Sequence, residues 1–193
     1  FLRQFLGRGW RALGVEPAGN IANVASIGGI PTLPEFFDVD LADSLQSEYG
    51  CADVVVARNV IPHVADIHSV IEGLATLAGD SGVVVIEVHS AEVILDEIHY
   101  DSIYHEHLFY FSLSTLCSLC RRHGLEAFDL HRSPISGGSH VVFFSRRDRK
   151  RSVRLSKALD RSTTVSQAGA WSKFASGSRS HAATLREVVT DAC

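Results

Sequence analysis

Two apolar runs separated by one amphipathic segment constrain the fold of this chain more than any other feature. Residues 52–64 read ADVVVARNVIPHV and residues 82–90 read GVVVIEVHS. Near-continuous apolar runs are typical of strands in a parallel sheet that is covered on both faces. A helical pattern begins between them at Asp66. Its apolar positions are Ile67, Val70, Ile71, Leu74 and Leu77. This alternation predicts an α/β fold with a parallel sheet.

The same alternation extends toward the N-terminus. Residues 1–10 suit a short amphipathic helix, and residues 11–19 predict a buried strand that ends at Glu16. The next predicted elements are a helix, a short strand with a loop, and a helix, over residues 20–29, 30–37 and 40–50.

The pattern changes after His89. Helical patterns cover residues 91–100 and residues 112–124. Residues 125–148 contain two apolar strands around a Pro/Ser/Gly turn, which predicts an antiparallel hairpin at the end of the sheet. From Arg149 onward the chain is polar and helical.

The chain is long enough for one ordinary domain with a hydrophobic core. Its 193 residues are 46% hydrophobic and 21% charged, as in globular proteins. We expect one domain over residues 1–148 and the helical start of a second over residues 149–193. No apolar run reaches the roughly 20 residues of a membrane span, and the N-terminus does not resemble a secretory signal. We therefore expect a cytoplasmic protein. Because the sequence has no methionine and begins with Phe1, we also expect a piece of a longer protein.

Two features that suggest ligands have simpler explanations. Cys117 and Cys120 are spaced as CxxC, but the sequence has no second ligand pair at zinc-site spacing, so we expect two small buried residues. The basic run over residues 146–157 has no interleaved aromatic residues for base stacking, and the chain has a formal net charge of −4. We expect a solvated helix face there and no nucleic-acid partner.

Polar side chains follow two of the predicted strands. An acidic residue at a strand end, such as Glu16, can accept hydrogen bonds from the ribose hydroxyls of a nucleotide-like cofactor. A solvated carboxylate is the simpler interpretation. Asn59 and His63 come late in the run over residues 52–64, just past the end of its buried strand, at the edge where α/β sheets bind ligands. A polar strand exit explains them equally well.

Residues 100–112, YDSIYHEHLFYFS, concentrate groups that titrate or donate hydrogen bonds. Together with His99, just before this segment, the side chains of His105, Glu106 and His107 could hold a metal. Helical metal sites space their ligands at i and i+4, and these residues are not spaced in that way. On a strand, His105 and His107 would share one face. The apolar residues that follow place the cluster at the edge of the core, where a histidine can act as a general base. A polar surface loop is the other interpretation.

The segment IYHEHLFYFSLSTLCSLCRRHGLEAFDLHRSPISGGS closely resembles the hallmark segment of S-adenosylmethionine-dependent sugar C-methyltransferases. These enzymes act on nucleotide-linked 4-keto-6-deoxyhexoses in deoxysugar biosynthesis. The segments GVEPA and ARNVIPHVAD are similar to the ribose-binding strand end and the fourth-strand segment of that family. The resemblance covers most of residues 10–148. It implies a Rossmann-like class I methyltransferase sheet, S-adenosylmethionine as the cofactor and a nucleotide-sugar substrate.

The resemblance also implies a role for each matching residue. His107 would be the base that removes a proton beside the ketone, and Tyr104 would donate to the enolate oxygen. The implied catalytic residues are His107, Tyr104 and Glu106. The implied substrate-binding residues are His105, Gly138 and Ser139. The implied cofactor-binding residues are Glu16, Ala57, Arg58 and Asn59, and no metal ligand is implied in this chain.

The chain departs from the family pattern in several places. Family members carry an N-terminal cysteine-rich zinc module, a first strand with a glycine-rich loop, and a further C-terminal domain. We expect zinc only in that module, and a partial methyltransferase domain over residues 1–148 without its first strand. His140 and Val141 replace the usual Leu-Arg, and residues 88–90 replace a Phe-Pro-His-like segment.

Three functions are therefore open. The first is a fragment of a sugar C-methyltransferase. The second is an inactive methyltransferase-like binding module without a complete cofactor site. The third is a metal-dependent enzyme that uses His99, His105 and His107. The sequence does not indicate the sugar, the pathway or the oligomeric state.

Overall fold

The computed structural model describes residues 1–192 and alternates strands with helices, as the sequence predicts. The strands are β1 (Gly14–Val15), β2 (Thr32–Leu33), β3 (Val54–Arg58), β4 (Val83–His89), β5 (Glu126–Ser133) and β6 (Ser139–Ser145). The helices are α1 (Arg3–Leu6), α2 (Gly19–Ile27), α3 (Val39–Tyr49), α4 (Ile67–Ala78), α5 (Ala91–Asp96), α6 (Leu113–Arg121), α7 (Val153–Arg161) and α8 (Ala168–Asp191). Short 3-10 turns lie at Ile61–His63, Tyr100–Ser102, Ile135–Gly137 and Ser162–Ser166.

The strands of the described chain form two separate hydrogen-bonded sheets. β1 and β2 pair in parallel. The larger sheet has the order β3-β4-β6-β5, in which β3 and β4 are parallel and β6 is antiparallel to both of its neighbours. The α/β class and the antiparallel hairpin of β5 and β6 are therefore confirmed.

β3 is shorter and less covered than the sequence predicts. The prediction of a central strand over residues 52–64, covered on both faces, is wrong. β3 ends at Arg58 and lies at an edge of the larger sheet. Asn59 follows with a φ of 52°, a left-handed conformation that asparagine tolerates and that ends the extended chain. Pro62 then lies in the turn Ile61–His63, and proline has no N–H to donate to a ladder.

The main core lies between the larger sheet and helices α4 and α6. Every second residue of β4 is almost wholly buried, namely Val84, Ile86 and Val88. α4 begins at its N-cap Asp66, whose carboxylate accepts the N–H of Ser69, and it ends at Gly79. α6 adds Cys117 and Cys120 to this core, which confirms that both cysteines are buried core residues.

The C-terminal helices pack on the rest of the chain. Leu155 of α7 is fully buried in the main core. Phe174 of α8 forms a second buried cluster with Ile94 and Leu95 of α5. The helical character of this segment is confirmed, and a domain boundary at residue 148 stays a prediction. None of the helices within residues 1–192 is long and apolar enough to cross a membrane.

Candidate active site

The connection after β3 holds the segment around His107 in place. His63 lies in the turn that follows β3, and its Nδ1–H donates to the carbonyl oxygen of Glu106 at 2.9 Å. The carbonyl oxygen of Pro62 accepts the N–H of Leu108 at 2.8 Å. These bonds bring the histidine-rich segment to the carboxyl end of β3, the edge at which α/β sheets bind ligands.

His107 is held in one tautomer. Its Nδ1–H donates to the carbonyl oxygen of Ser102 at 3.2 Å. Because a carbonyl oxygen can only accept, the neutral ring carries its proton on Nδ1 and its lone pair on Nε2. The hydroxyl of Tyr104 donates to that Nε2 at 3.2 Å. His107 therefore presents an oriented basic nitrogen.

Three rings surround the imidazole of His107. Its centroid lies 4.4 Å from the ring of Tyr104, 4.7 Å from the ring of His63 and 5.7 Å from the ring of Tyr110. Tyr110 also accepts the backbone N–H of Tyr104 at 3.2 Å. The imidazole is thus packed against tilted and edge-on rings and is also hydrogen-bonded, which fixes its orientation.

The segment from Tyr104 to His107 forms a turn and not a strand. The N–H of His107 donates to the carbonyl oxygen of Tyr104 at 3.1 Å. Consequently His105 and His107 do not share a strand face: His105 and Glu106 are exposed, while His107 is half-buried. Of the predicted catalytic residues, the structure brings Tyr104 and His107 into contact and leaves the Glu106 side chain in solvent.

The histidines of the metal alternative are not gathered around one point. His99 Nε2 lies 3.2 Å from a carboxylate oxygen of Glu97, and both ring nitrogens of His107 are engaged with Ser102 and Tyr104. Within residues 1–192, no group of three or more His, Cys, Asp or Glu side chains is placed to hold a metal ion.

Sequence reasoning did not assign a role to His89, the last residue of β4. The side chain is buried, and its Nε2 has no hydrogen-bond partner within the described chain. Burial lowers the pKa of His89, and the nearby His99 and His107 lower it further, while Asp101 opposes them. These effects favour the neutral form of the His89 imidazole. Its position at the carboxyl end of a buried strand was the available signal.

Residues 1–130 match the family model described as a methyltransferase domain. The chain belongs to this methyltransferase-domain family. It is 34% identical over 192 residues to the C-methyltransferase NovU of Streptomyces niveus, with 97% of this chain and 46% of that protein aligned. The chain thus spans about half the length of this curated relative.

Solved methyltransferase structures share the fold at low sequence identity. One is the 1,6-didemethyltoxoflavin-N1-methyltransferase of Burkholderia thailandensis, at a TM-score of 0.53 and 15% identity over 76% of this chain and 65% of that chain. Another is a possible histamine N-methyltransferase of Thermotoga maritima, at a TM-score of 0.52 and 18% identity over 70% of this chain and 72% of that one. The Rossmann-like class I methyltransferase fold is therefore confirmed.

Glu16 of this methyltransferase domain lies at a strand end with one carboxylate oxygen available to a ligand. It directly follows β1, and its Oε1 accepts the N–H of Ala18 at 2.9 Å. That bond orients the carboxylate and leaves Oε2 without a hydrogen bond within residues 1–192. A carboxylate oxygen at a strand end is the acceptor that a ribose hydroxyl requires.

The other predicted cofactor-binding residues have fewer side-chain groups available to a ligand. Ala57 is buried in β3, and Arg58 is engaged, because its Nε donates to Oε2 of Glu87 at 2.6 Å. Asn59 donates its backbone N–H to the carbonyl oxygen of Glu87 at 2.9 Å and exposes its side chain. Asn59 is thus the member of this trio with a polar side chain free to meet a ligand.

The turn before β6 is built for close packing. The hydroxyl of Ser139 is buried and donates to a carbonyl oxygen of the turn at 2.9 Å. Gly137 has a φ of 77°, and an added Cβ would lie 2.6 Å from the ring of His99. An added Cβ at Gly138 would lie 3.0 Å from the side chain of Val93. The turn therefore supports His99 and α5 through its shape.

Proposed function

We propose that this methyltransferase domain serves a C-methyltransferase, which moves a methyl group from S-adenosylmethionine to a carbon beside the ketone of a nucleotide-linked keto-deoxysugar. The 34% identity to a C-methyltransferase supports transfer to carbon. The observation that carries the proposal is the oriented Nε2 of His107, which accepts from Tyr104. Carbon is a poor nucleophile until a base removes a proton from it, so a C-methyltransferase needs such a nitrogen.

In the proposed reaction, Nε2 of His107 takes the proton from the carbon next to the ketone. The electron pair of that C–H bond moves onto the ketone, and the hydroxyl of Tyr104 donates to the resulting enolate oxygen. S-adenosylmethionine, when bound, supplies the electrophilic methyl group that the carbon takes up. His107 then releases its extra proton to solvent and keeps the proton on Nδ1 that Ser102 holds.

The remaining predicted residues take supporting roles in this proposal. Glu16 holds the cofactor ribose, and Asn59 contacts the cofactor with its side chain, while Ala57 and Arg58 shape the strand end beneath it. Glu106 and His105 are exposed beside the proposed base, and in this proposal they contact the sugar or its nucleotide. The geometry of Gly138 and Ser139 favours support of the substrate pocket through the backbone.

Hydrogen–deuterium exchange on the sugar tests the proposed base. The complete protein is incubated in D₂O with a nucleotide-linked 4-keto-6-deoxyhexose and without S-adenosylmethionine, and exchange beside the ketone is followed by mass spectrometry. His107→Gln should lower the exchange rate by about 10²–10⁴-fold. His68→Gln on α4, which removes another exposed histidine, is the matched control and should leave exchange unchanged.

Two outcomes would overturn the proposal. Exchange at the wild-type rate in His107→Gln would remove His107 as the base. If the wild-type protein showed no exchange and did not bind S-adenosylhomocysteine, an inactive methyltransferase-like module would be favoured instead.

A further inference from the structure

Helix α8 contacts the segment that leads into the candidate site. The hydroxyl of Tyr100 lies 2.9 Å from Nδ1 of His181, and the two ring centroids are 5.6 Å apart. Phe174 lies earlier on the same helix and packs on Leu95, with Tyr100 against that cluster. The C-terminal helix therefore fixes the start of this segment by one directed hydrogen bond and one apolar contact.

Ile98 shows that this contact is close. Its φ of 58° is a left-handed conformation that β-branched residues rarely adopt. A Cβ added to Gly177 of α8 would lie 2.4 Å from Cδ1 of Ile98, so the glycine allows the helix to approach. Strained backbone persists only where the surroundings fix it. Packing of α8 on Ile98 is such a surrounding.

One short turn connects this contact to the base. Tyr100–Ser102 is a 3-10 turn in which Ser102 donates its N–H to the carbonyl oxygen of His99 at 3.1 Å. The carbonyl oxygen of Ser102 is the group that accepts Nδ1–H of His107. Displacement of Tyr100 would therefore displace the carbonyl that sets the tautomer of His107.

We propose that Tyr100 and His181 are positioning residues for His107. Their hydrogen bond holds the turn Tyr100–Ser102 so that the carbonyl of Ser102 keeps the proton of His107 on Nδ1 and the lone pair on Nε2. The consequence for catalysis rests on the proposed function, whereas the tautomer is a property of the free protein. The C-terminal helix thus takes part in setting the base.

Nitrogen NMR of the complete protein, labelled with ¹⁵N-histidine, tests the tautomer directly. The His107 signals are assigned by their loss in His107→Gln. Wild-type protein should show the proton of neutral His107 on Nδ1. Tyr100→Phe and His181→Leu each remove the hydrogen bond and should give a mixture of tautomers. His181→Asn places an amide group near the position of the His181 Nδ1 atom, where it can pair with the hydroxyl of Tyr100. This variant should therefore keep the wild-type His107 signals.

Tyr49→Phe removes an exposed hydroxyl at the end of α3 and is the matched control. It should leave the His107 signals unchanged, and circular dichroism should show that all variants are folded. Unchanged signals in both Tyr100→Phe and His181→Leu would overturn the positioning role. A wild-type His107 with its proton on Nε2 would overturn that role as well, because Ser102 would not be holding Nδ1.

Exchange on the keto-sugar then connects the tautomer to activity. Tyr100→Phe and His181→Leu should each lower the exchange rate about fivefold, the effect of one ordinary hydrogen bond, without a change in KM. The double variant should be no slower than either single variant, since both remove the same interaction. Altered tautomers with an unaltered exchange rate would contradict His107 as the base and leave the positioning contact intact, so the two proposals fail separately.

Discussion

The phenolic oxygen of Tyr104 lies 3.2 Å from Nε2 of His107 and donates to it. One hydroxyl therefore occupies the lone pair that the proposed base needs. In the proposed reaction, the substrate must draw this hydroxyl away before the ring can take a proton. The ketone oxygen of the proposed substrate is an acceptor that can do so, and the same movement would free Nε2 and place a donor on the developing enolate.

Replacement of Tyr104 by phenylalanine should separate these two effects. Tyr104→Phe frees Nε2 but removes the donor to the enolate, so the exchange rate should fall by about 10²-fold, the usual cost of one such donor. KM should change little, because the hydroxyl acts as charge develops. Steady-state kinetics and exchange with the keto-sugar measure both. An exchange rate equal to that of wild type would exclude Tyr104 as the enolate donor.

A second prediction concerns the contribution of the Arg58–Glu87 ion pair to stability. The Glu87 carboxylate is buried, with Oε2 at 2.6 Å from Nε of Arg58 and Oε1 without a partner in the described chain. Arg58→Ala would leave a buried carboxylate without its partner, so it should lower the free energy of unfolding by about 2–4 kcal/mol. Urea denaturation followed by circular dichroism measures this.

The double variant controls for the lost arginine side chain. Arg58→Ala with Glu87→Leu removes both charges and should recover most of the stability that the single variant loses. If the double variant were as unstable as Arg58→Ala, packing of the arginine on its surroundings would explain the loss, and the buried charge would not.

Periodicity predicts most of the fold because it records burial. The apolar segments at residues 82–90 and 125–148 form β4 and the hairpin of β5 and β6, because their side chains are buried against other parts of this chain. The prediction of a covered strand over residues 52–64 was wrong because apolar composition does not encode backbone conformation. The left-handed Asn59 ends β3, and that requires the tertiary context of its hydrogen bond to Glu87.

For the candidate site, too, the sequence identifies some residues, while other contacts are known only from the structure. A motif can name His107 and Tyr104, because their spacing in sequence also brings them together in the turn. The sequence also places His63 at the exit of β3, but it cannot show that His63 contacts the ring of His107. That contact depends on the hydrogen bond between His63 and the carbonyl oxygen of Glu106. Nor can the sequence show that Ser139 is committed to its own turn. Such contacts between distant segments depend on the fold.

Glu92 on α5 is the centre of a buried polar network. It accepts hydrogen bonds from the hydroxyls of Ser90 and Ser162, from the N–H of Leu113 and from Nε2 of His140. Burial alone would raise the pKa of Glu92, but the bonds from His140, Ser162 and Leu113 outweigh it and lower the pKa to about 2. The charged carboxylate therefore holds together β6, α5, α6 and the turn before α8.

The lowered pKa gives this network a defined pH dependence. Its stabilisation is fully present above the ordinary pKa of 4.5 and is lost as the pH falls from 4.5 toward about 2. Glu92→Gln should lower the free energy of unfolding at pH 7 by about 3 kcal/mol, and the difference from wild type should shrink below pH 4.5. Urea denaturation across this range checks it, with exposed Glu35→Gln as the control. A difference that does not vary with pH would contradict the role of the charge.

The cysteines should differ sharply in reactivity. Burial raises the pKa of Cys117 to about 11 and raises the pKa of Cys120 as well, whereas Cys51 is exposed. At pH 8, a thiol with that pKa is about 0.1% thiolate, and the thiolate is the reactive form. In a Cys193→Ser background, iodoacetamide should modify Cys51 and spare the other two until urea unfolds the protein. Mass mapping of the peptides checks this. Rapid native modification of Cys117 would mean that α6 opens readily, which its place in the main core contradicts.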